Sequence, residues 1–416
     1  MHRLTFFLIL AVATPTIAQK KFVANYEESK IPEFTLPDPL LFDNGTSVQN
    51  AADWESRRQE IVALFADQVY GKAPARPKTL LSEIFDQQDV FNGTAKRLQI
   101  RIHFGADTAA PHMDVMVYLP KGVTKPAAFL TLNFKGNHSI DPDPGIRLSE
   151  SWMRRGAGIK SNKSTEPTRG AAQSRWPIEK IVKRGYALAT IYYGDIDPDF
   201  DDGFKNGVHA LSPPKTKSDW GSIAAWAWGL SCALDYFEEN QIVDPNRVAV
   251  FGHSRLGKTS LWAGASDPRF AMVISNNSGC GGAAISRRAI GETVGRINTV
   301  FPHWFCDNYL QYNENENACP VDQHMLIAAI APRPVYIASA KEDRWADPKG
   351  EFLAARYANP VFRLLKTEGL PSSNMPAVDE PIHGRIGYHV RTGKHDVKDF
   401  DGNQYLDFAD KHLSKK

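Results

Sequence analysis

The sequence predicts an α/β fold in three layers, with a mostly parallel central sheet covered by helices on both faces. Short runs rich in β-branched and aromatic residues alternate with longer segments of helical pattern along most of the chain. Strands that alternate with helices form parallel sheets that are buried on both sides. The chain can also fill a large core, because 42% of its 416 residues are hydrophobic. We expect a single domain over residues 19–416.

The first 18 residues have the pattern of a secretory signal peptide. Arg3 precedes an apolar run from Leu4 to Ala13, and small residues surround Ala18. This run is shorter than the roughly 20 residues that cross a bilayer, which argues against a membrane anchor. We therefore predict cleavage after Ala18 and an exported protein, periplasmic or secreted, without membrane association after cleavage.

The predicted elements follow an N-terminal arm at about residues 19–95, which contains a helical pattern at residues 52–70. Strands are predicted at residues 98–104, 113–119, 129–134, 186–192, 247–251, 271–275 and 335–339. Helices are predicted at residues 218–239, from 256, at 322–331, from 348 and at 405–413. A polar insertion at about residues 137–176 is longer than ordinary connections between a strand and a helix, and such loops often carry function.

Charge and cysteine content argue against several classes of site. The chain has 49 Lys and Arg against 47 Asp and Glu, so its net charge of +2 gives no electrostatic case for a nucleic-acid partner. No C-x-x-C pair is present, which leaves a metal site without support.

A disulfide between Cys306 and Cys319 and four buried free thiols are both possible. The four cysteines are Cys232, Cys280, Cys306 and Cys319.

The segment that begins at Gly252 has two interpretations. Residues 252–259 read G-H-S-R-L-G-K-T and fit the phosphate-loop pattern G-x-x-x-x-G-K-[ST]. The same residues place Ser254 in a sharp turn between a strand and a helix, which is the setting of a nucleophile elbow. The usual elbow is G-x-S-x-G, whereas here the second glycine is Gly257, three residues after Ser254.

Three observations favour the elbow and an α/β-hydrolase fold. An exported protein meets essentially no nucleotide. A phosphate loop normally follows an early strand of its domain, and this segment lies past the middle of the chain. An acid and a histidine also follow Ser254 in the order Ser, Asp, His, which is the chain order of α/β-hydrolases.

The predicted acid and base are Asp343 and His395. Asp343 follows the strand at residues 335–339, and active-site residues of open α/β sheets gather at the carboxyl ends of strands. Asp347 is instead expected to cap the helix that begins at Pro348. His395 lies in a Gly-flanked loop before the last helix, and an imidazole can accept the serine proton near neutral pH. His383 and His389 are rivals for this role.

Several motifs together resemble the glucuronoyl esterases, carbohydrate esterase family 15, from about residue 41 to residue 413. The elbow of that family reads G-x-S-R-x-G-K, which accounts for the displaced glycine and for the lysine. The insertion at residues 137–176 resembles the bacterial branch, where it lines one side of the substrate cleft. Further matches are N-S-G-C-G-G-A-A from 277, F-P-H-W-F from 301, V-D-Q-H-M-L from 321 and E-D-R-W-A-D-P from 342.

The resemblance implies a serine esterase that needs no metal or organic cofactor. Its substrate would be the ester between (4-O-methyl)glucuronic acid on glucuronoxylan and a lignin alcohol. Ser254 would be the nucleophile and His395 the base, while Arg255 and nearby backbone N–H groups would stabilise the oxyanion. Lys258, Glu292 and Trp345 would hold the sugar. We expect a monomer.

The family pattern fails at one position. Many members have Glu in a Q-E-S-G segment after the elbow, where this chain has Asn277. An amide cannot carry the negative charge, so Asp343 becomes the expected acid of the triad. An acetyl or feruloyl xylan esterase would use the same triad with a different pocket. A non-catalytic carbohydrate-binding relative is also possible, although an intact Ser254 and His395 argue against it.

Overall fold

A computed structural model describes residues 22–414, so the predicted signal peptide lies outside the described residues. Within this range ten strands form one sheet in the order β1-β2-β3-β5-β4-β6-β7-β8-β10-β9. No helix in it is long and apolar enough to cross a bilayer.

The strands are β1 Ser82–Val90, β2 Ala95–His103, β3 His112–Pro120, β4 Ala128–Asn133, β5 Ala187–Tyr192, β6 Val248–His253, β7 Met272–Asn276, β8 Val335–Ala340, β9 Ile382–His383 and β10 Ile386–Arg391. The helices are α1 Ala51–Phe65, α2 Ile178–Lys183, α3 Tyr193–Ile196, α4 Ser222–Asn240, α5 Arg255–Ser266, α6 Val294–Val300, α7 Gln323–Ala328, α8 Pro348–Tyr357, α9 Asn359–Leu364 and α10 Asp399–Leu413.

The centre of the sheet is parallel and its margins are antiparallel. Strands β5, β4, β6, β7, β8 and β10 pair in parallel, whereas β1, β2 and β3 continue the sheet antiparallel beyond β5. The predicted α/β fold with a parallel core is therefore confirmed. Strand β1 was not predicted, because none of its residues is buried and its sequence lacks the alternation of a half-buried strand. It belongs to the sheet although it lies within the predicted N-terminal arm.

Alternate residues of the central strands enter two different cores. Leu130 and Val250 pack with helices α1, α4, α5, α7 and α8 on one face. Phe129 and Ala249, their neighbours in sequence, pack with α2 and α10 on the other face. This division follows from the period of two along a β-strand and produces the three layers.

Helix α10 begins at Asp399, six residues before the predicted start at 405. Residues 399–404 are mostly polar, so the apolar pattern that predicted the helix begins nearly two turns too late. The carboxylate of Asp401 is buried in the first turn and accepts hydrogen bonds from the backbone N–H of Lys398 at 2.7 Å and from Nε of Arg391 at 2.7 Å. A buried ion pair therefore fixes the start of the helix.

The four cysteines are buried free thiols, which decides between the two possibilities left open by the sequence. Burial raises the pKa of the Cys306 and Cys319 thiols to about 12. These groups are therefore protonated near neutral pH and behave as small apolar side chains.

Candidate active site

Ser254 occupies a strained turn between β6 and α5. Its φ is 58° and its ψ is −128°, a region that non-glycine residues rarely adopt. The turn is possible only with glycine at 252, because a Cβ there would lie 1.8 Å from the carbonyl oxygen of Leu256. A Cβ at Gly257 would lie 3.0 Å from Cβ of Ser278, so the displaced glycine allows α5 to approach the loop after β7. These contacts have the geometry of a nucleophile elbow.

The loops after β8 and β10 bring Asp343 and His395 together. Nδ1 of His395 lies 2.6 Å from Oδ2 of Asp343. The Asn277 side-chain amide donates to the same oxygen at 2.9 Å, so Asp343 is held from two sides. Asp343 is buried, whereas 40% of the His395 side chain is exposed. The arrangement leaves Nε2 of His395 without its proton and accessible to a reacting group.

The ring of His395 also lies against the elbow. Its centroid is 4.5 Å from that of His253, the residue before Ser254. The Ser254 hydroxyl makes no hydrogen bond to any residue in the described part of the chain, but serine–histidine contacts often tighten only in the substrate complex. Burial and the nearby His395 hold the pKa of His253 well below its ordinary value, so His253 adds no positive charge beside the base.

The two rival histidines lie in a different part of the fold. His389 is buried in β10, where Nε2 contacts Asp401 at 2.8 Å and Nδ1 contacts the Tyr336 hydroxyl at 3.0 Å. His383 contacts the same hydroxyl at 3.4 Å. Both therefore contribute to packing near α10, and His395 is the histidine that meets an acid beside the elbow.

Arg255 follows Ser254 and forms an ion pair with Asp199. Its guanidinium lies over the Trp304 ring, with the carbon 4.6 Å from the centroid. Asp199 also accepts hydrogen bonds from Nε1 of Trp304 at 2.8 Å and Nε2 of His303 at 3.0 Å. Burial alone would raise the pKa of Asp199, but the His303 hydrogen bond and the Arg255 charge outweigh it and lower the pKa. Asp199 is thus an ionised anchor for the arginine.

Two nitrogens of Arg255, Nε and Nη2, have no hydrogen-bond partner within residues 22–414. Of these, Nε is buried. Only Nη1 is engaged, by Asp199, and the side chain is 18% exposed, so Nη2 is the donor that a substrate oxygen could reach. Arg255 can therefore donate a charged hydrogen bond beside Ser254.

Lys258 is buried one turn into α5. Its Nζ donates to the carbonyl oxygens of Ser278 at 2.7 Å and Cys280 at 2.6 Å, and it lies 3.3 Å from Oε2 of Glu292. Three acceptors account for the three N–H donors of a lysine. The contact with Glu292 is the longest of the three, so it is the one that a substrate oxygen could replace.

Trp345 adjoins the Lys258–Glu292 pair. The Glu292 N–H donates to the Trp345 carbonyl oxygen at 3.0 Å. Trp345 is 37% exposed, and its ring packs edge to face with that of Phe22 at a centroid distance of 6.1 Å. The three residues predicted to hold a sugar thus lie close together, because Glu292 pairs with Lys258 and its backbone N–H bonds to Trp345.

The predicted cap at Asp347 is wrong. Its side chain makes no capping hydrogen bond to α8 and accepts instead from Nε of Arg288 at 2.7 Å. The φ of Asp347 is 51°, so the residue enters the helix from the left-handed region. Buried Arg288 requires an anion, and this demand outweighs the preference for a cap.

A cavity of about 230 Å³ lies beside the elbow on the α10 face. Residues 171–176 of the long insertion form one wall, including Arg175 and Trp176. His253 and Asp396, the chain neighbours of Ser254 and His395, line the cavity as well. The insertion thus reaches the vicinity of the elbow and base.

The chain is similar over nearly its whole length to esterases of known structure. It is 52% identical to a promiscuous CE15 esterase from a marine bacterial metagenome, with a TM-score of 0.89 over 94% of this chain and 100% of that one. It is 46% identical to a glucuronoyl esterase from Solibacter usitatus, with a TM-score of 0.87 over 93% of this chain and 100% of that one. The chain belongs to carbohydrate esterase family 15.

More distant relatives agree with this family. A family model described as glucuronyl esterase of fungi matches residues 213–366. A 4-O-methyl-glucuronoyl methylesterase of Wolfiporia cocos is 28% identical over 345 residues, which are 81% of this chain and 72% of that protein. The predicted family, the α/β-hydrolase fold and the class of carboxylic ester hydrolase are confirmed. The acetyl and feruloyl alternatives receive no support.

Two acidic residues of this family 15 esterase were not predicted from its sequence. Asp199 anchors Arg255, as described above. Glu351 lies in α8, is fully buried and accepts the backbone N–H groups of Ser278 at 2.8 Å and Gly279 at 3.0 Å. An acid on an otherwise apolar helix face, as Glu351 with Ala354 and Ala355 three and four residues on, is the one signal that could have indicated such a role.

Proposed function

We propose that this esterase hydrolyses the ester between (4-O-methyl)glucuronic acid on glucuronoxylan and a lignin alcohol. The observation that carries the proposal is the placement of Ser254 in a strained elbow beside the His395–Asp343 pair. Lys258 lies in helix α5 directly after the elbow and pairs with Glu292. Relatives named as glucuronoyl esterases support glucuronic acid as the acid component of the substrate ester.

The first half of the reaction forms an acyl-enzyme. Oγ of Ser254 attacks the ester carbon while its proton passes to Nε2 of His395, and Asp343 stabilises the imidazolium. The negative charge on the former carbonyl oxygen is stabilised by Arg255. The intermediate collapses when the carbon–oxygen bond to the alcohol breaks and His395 gives its proton to the departing oxygen.

The second half returns the enzyme to its starting state. A water molecule attacks the glucuronoyl–Ser254 ester while His395 accepts one of its protons. Collapse of the second intermediate releases glucuronate, and His395 returns the proton to Oγ of Ser254. The base therefore acts twice, and its exposed Nε2 side can accept either the alcohol or water.

Lys258, Glu292 and Trp345 are proposed to recognise the uronate. Sugars are bound by aromatic faces together with hydrogen-bonding polar groups in a cleft. The exposed Trp345 indole offers such a face. Glu292 is partly exposed and can bind a sugar hydroxyl while it stays within reach of Lys258. We also propose that the enzyme is exported after cleavage at Ala18 and acts as a monomer.

Hydrolysis of three esters by the mature protein tests this function. Methyl and benzyl glucuronate should be cleaved, acetylated xylan should not be, and Ser254→Ala should lose nearly all turnover while it still binds glucuronate. Isothermal titration with glucuronate and a thermal unfolding curve show that the variant is folded. Cleavage of acetylated xylan without cleavage of either glucuronate ester would contradict the proposed substrate, and turnover by Ser254→Ala would contradict the nucleophile.

A further inference from the structure

The turn at residues 277–281, which follows β7, has an unusual backbone. Asn277, Gly279 and Gly281 have φ angles of 47°, 58° and 65°, all in the left-handed region. Non-glycine residues adopt this region at a cost, so the turn needs contacts that hold its shape. All five residues are buried.

This turn contacts both halves of the proposed active site. Asn277 donates its side-chain amide to Asp343, the proposed acid of the triad, at 2.9 Å. Ser278 and Cys280 offer their carbonyl oxygens to Nζ of Lys258 at 2.7 Å and 2.6 Å. A change in the path of the turn would therefore move the lysine and remove one support of the acid.

Glu351 holds the turn from the opposite side. One carboxyl oxygen, Oε1, accepts the backbone N–H groups of Ser278 at 2.8 Å and Gly279 at 3.0 Å. The other oxygen, Oε2, lies 2.5 Å from the Ser339 hydroxyl at the end of β8. Two N–H groups of the turn thus face Glu351, and two of its carbonyl groups face Lys258.

We propose that Glu351 is a positioning residue, which fixes the 277–281 turn and through it sets the place of Lys258 for the uronate and of Asn277 for Asp343. The proposal deepens the proposed function and rests on it for the role of Lys258. Glu351 does not need to touch substrate. Its effect should be larger on substrates that carry a uronate than on esters that need only the triad.

The carboxyl is suited to this role as a neutral group. Burial, followed by the nearby Asp343 carboxylate, raises the pKa of Glu351 to about 8, against the hydrogen bonds from Ser339, Gly279 and Ser278. Tyr388 of β10 also faces it and is itself protonated, because burial raises the pKa of that phenol well above its ordinary value. Ser339 donates to Oε2 of the carboxylate, and protonation of Oε2 reverses this bond while Oε1 still accepts from the turn, which is the pattern that glutamine would have.

The first test compares Glu351→Gln with Glu351→Met. Glutamine keeps the acceptor for the turn, so kcat/KM at pH 7 should stay within about threefold of the wild type. Methionine has a similar length without an acceptor. It should lower kcat/KM for methyl glucuronate at least 30-fold, but that for p-nitrophenyl acetate less than fivefold. Equal loss on both esters would overturn the proposal in favour of general destabilisation.

A matched control removes a different buried carboxylate next to the same helix. Asp347→Asn breaks the buried pair with Arg288, whose Nε lies 2.7 Å from the Asp347 carboxylate, and does not alter a hydrogen bond to the turn. This variant should lower Tm but keep the wild-type ratio of kcat/KM for the two esters. A changed ratio in Asp347→Asn would contradict a specific role for Glu351.

Hydrogen exchange of the 277–281 segment provides a readout independent of substrate. Amide protection in this segment should fall in Glu351→Met and be retained in Glu351→Gln and Asp347→Asn. If the wild type does not cleave methyl glucuronate, the proposed function is wrong, and the exchange result still decides whether Glu351 holds the turn. Unchanged protection in a folded Glu351→Met variant would overturn the inference.

Discussion

Oδ2 of Asp343 lies 2.6 Å from Nδ1 of His395, which fixes the proton of the imidazole on that nitrogen. The Asn277 amide donates to the same oxygen at 2.9 Å. The residue at 277 therefore supports the acid as a neutral donor, whereas a carboxylate at this place would repel Asp343. The proposed acid, Asp343, follows β8, and the amide that contacts it follows the neighbouring strand β7.

We expect Asp343→Asn to lower kcat by about 10⁴. An amide cannot stabilise the imidazolium and favours the wrong histidine tautomer, and a change of this kind in a serine protease lowered kcat by about 10⁴. The loss corresponds to roughly 5.5 kcal/mol of transition-state stabilisation. Steady-state kinetics on methyl glucuronate at pH 7 measure it.

Glu342→Gln is the control for Asp343→Asn, because it makes the same chemical change at the preceding residue. Glu342 is exposed, and adjacent side chains on an extended segment point in opposite directions. Its kcat should stay within about twofold of the wild type. The assignment of the acid would be wrong if Glu342→Gln lost activity and Asp343→Asn kept it.

Asn277→Ala should cost much less than the loss of Asp343, about tenfold or less in kcat. The variant removes one of the two hydrogen bonds to Oδ2 of Asp343 but leaves the contact with His395 in place. It also removes the Asn277 amide oxygen, which is buried and has no hydrogen-bond partner within residues 22–414. A loss near 10⁴ in the kinetic assay would show that Asn277 does more than orient the acid.

Much of the fold and of the candidate site follows from short-range patterns in the sequence. Strands β4 to β8 are mostly apolar runs, and their bounds were predicted to within a few residues because both faces of the sheet are buried. The parallel strand β10 was not predicted, because Gly387, His389 and Arg391 interrupt its apolar pattern. The elbow residues and the chain order of Ser254, Asp343 and His395 place the three side chains at one sheet edge. The structure brings all three to the carboxyl ends of β6, β8 and β10.

Features that depend on long-range charge pairing could not be predicted in this way. Asp347 has the sequence context of a helix cap, yet it pairs with Arg288, 59 positions away in the chain. Asp199 and Arg255 are 56 positions apart in the chain, and Glu351 and Ser278 are 73 positions apart. Each partner is set by the packed structure, because a buried charge or hydrogen-bonding group needs a partner wherever the fold places it.

Replacement of Lys258, Glu292 or Trp345 by Ala should weaken turnover of methyl and benzyl glucuronate by similar factors. The three residues form one group around the Lys258–Glu292 pair, and we propose that they contact the uronate, which the two esters share. The informative quantity is the ratio of kcat/KM for the two esters in each variant. A ratio that changes more than about fivefold would place the residue on the alcohol side.

Asp199→Asn should lower kcat by about 10² with a smaller effect on KM. Asp199 holds Arg255 over the Trp304 ring, and loss of a donor to the developing oxyanion typically costs 10²–10³ in kcat. Thermal unfolding must accompany the kinetics, because the amide leaves buried positive charge less well paired. An increase in KM alone would mean that Asp199 and Arg255 act in substrate binding and not on the transition state.

The stability of the protein should depend on the ionisation of Glu351. Its pKa is raised from 4.5 to about 8, so between these two pH values the native state holds a proton that the unfolded chain has released. A group of this kind favours the native state at low pH and loses its contribution as pH rises toward 8. Because glutamine does not titrate, Glu351→Gln should gain stability relative to the wild type between pH 5 and pH 8, by on the order of a few kcal/mol. Urea unfolding of both proteins at several pH values measures the difference. Wild-type and Glu351→Gln stabilities that stay parallel across this range would mean that Glu351 is already ionised at pH 5.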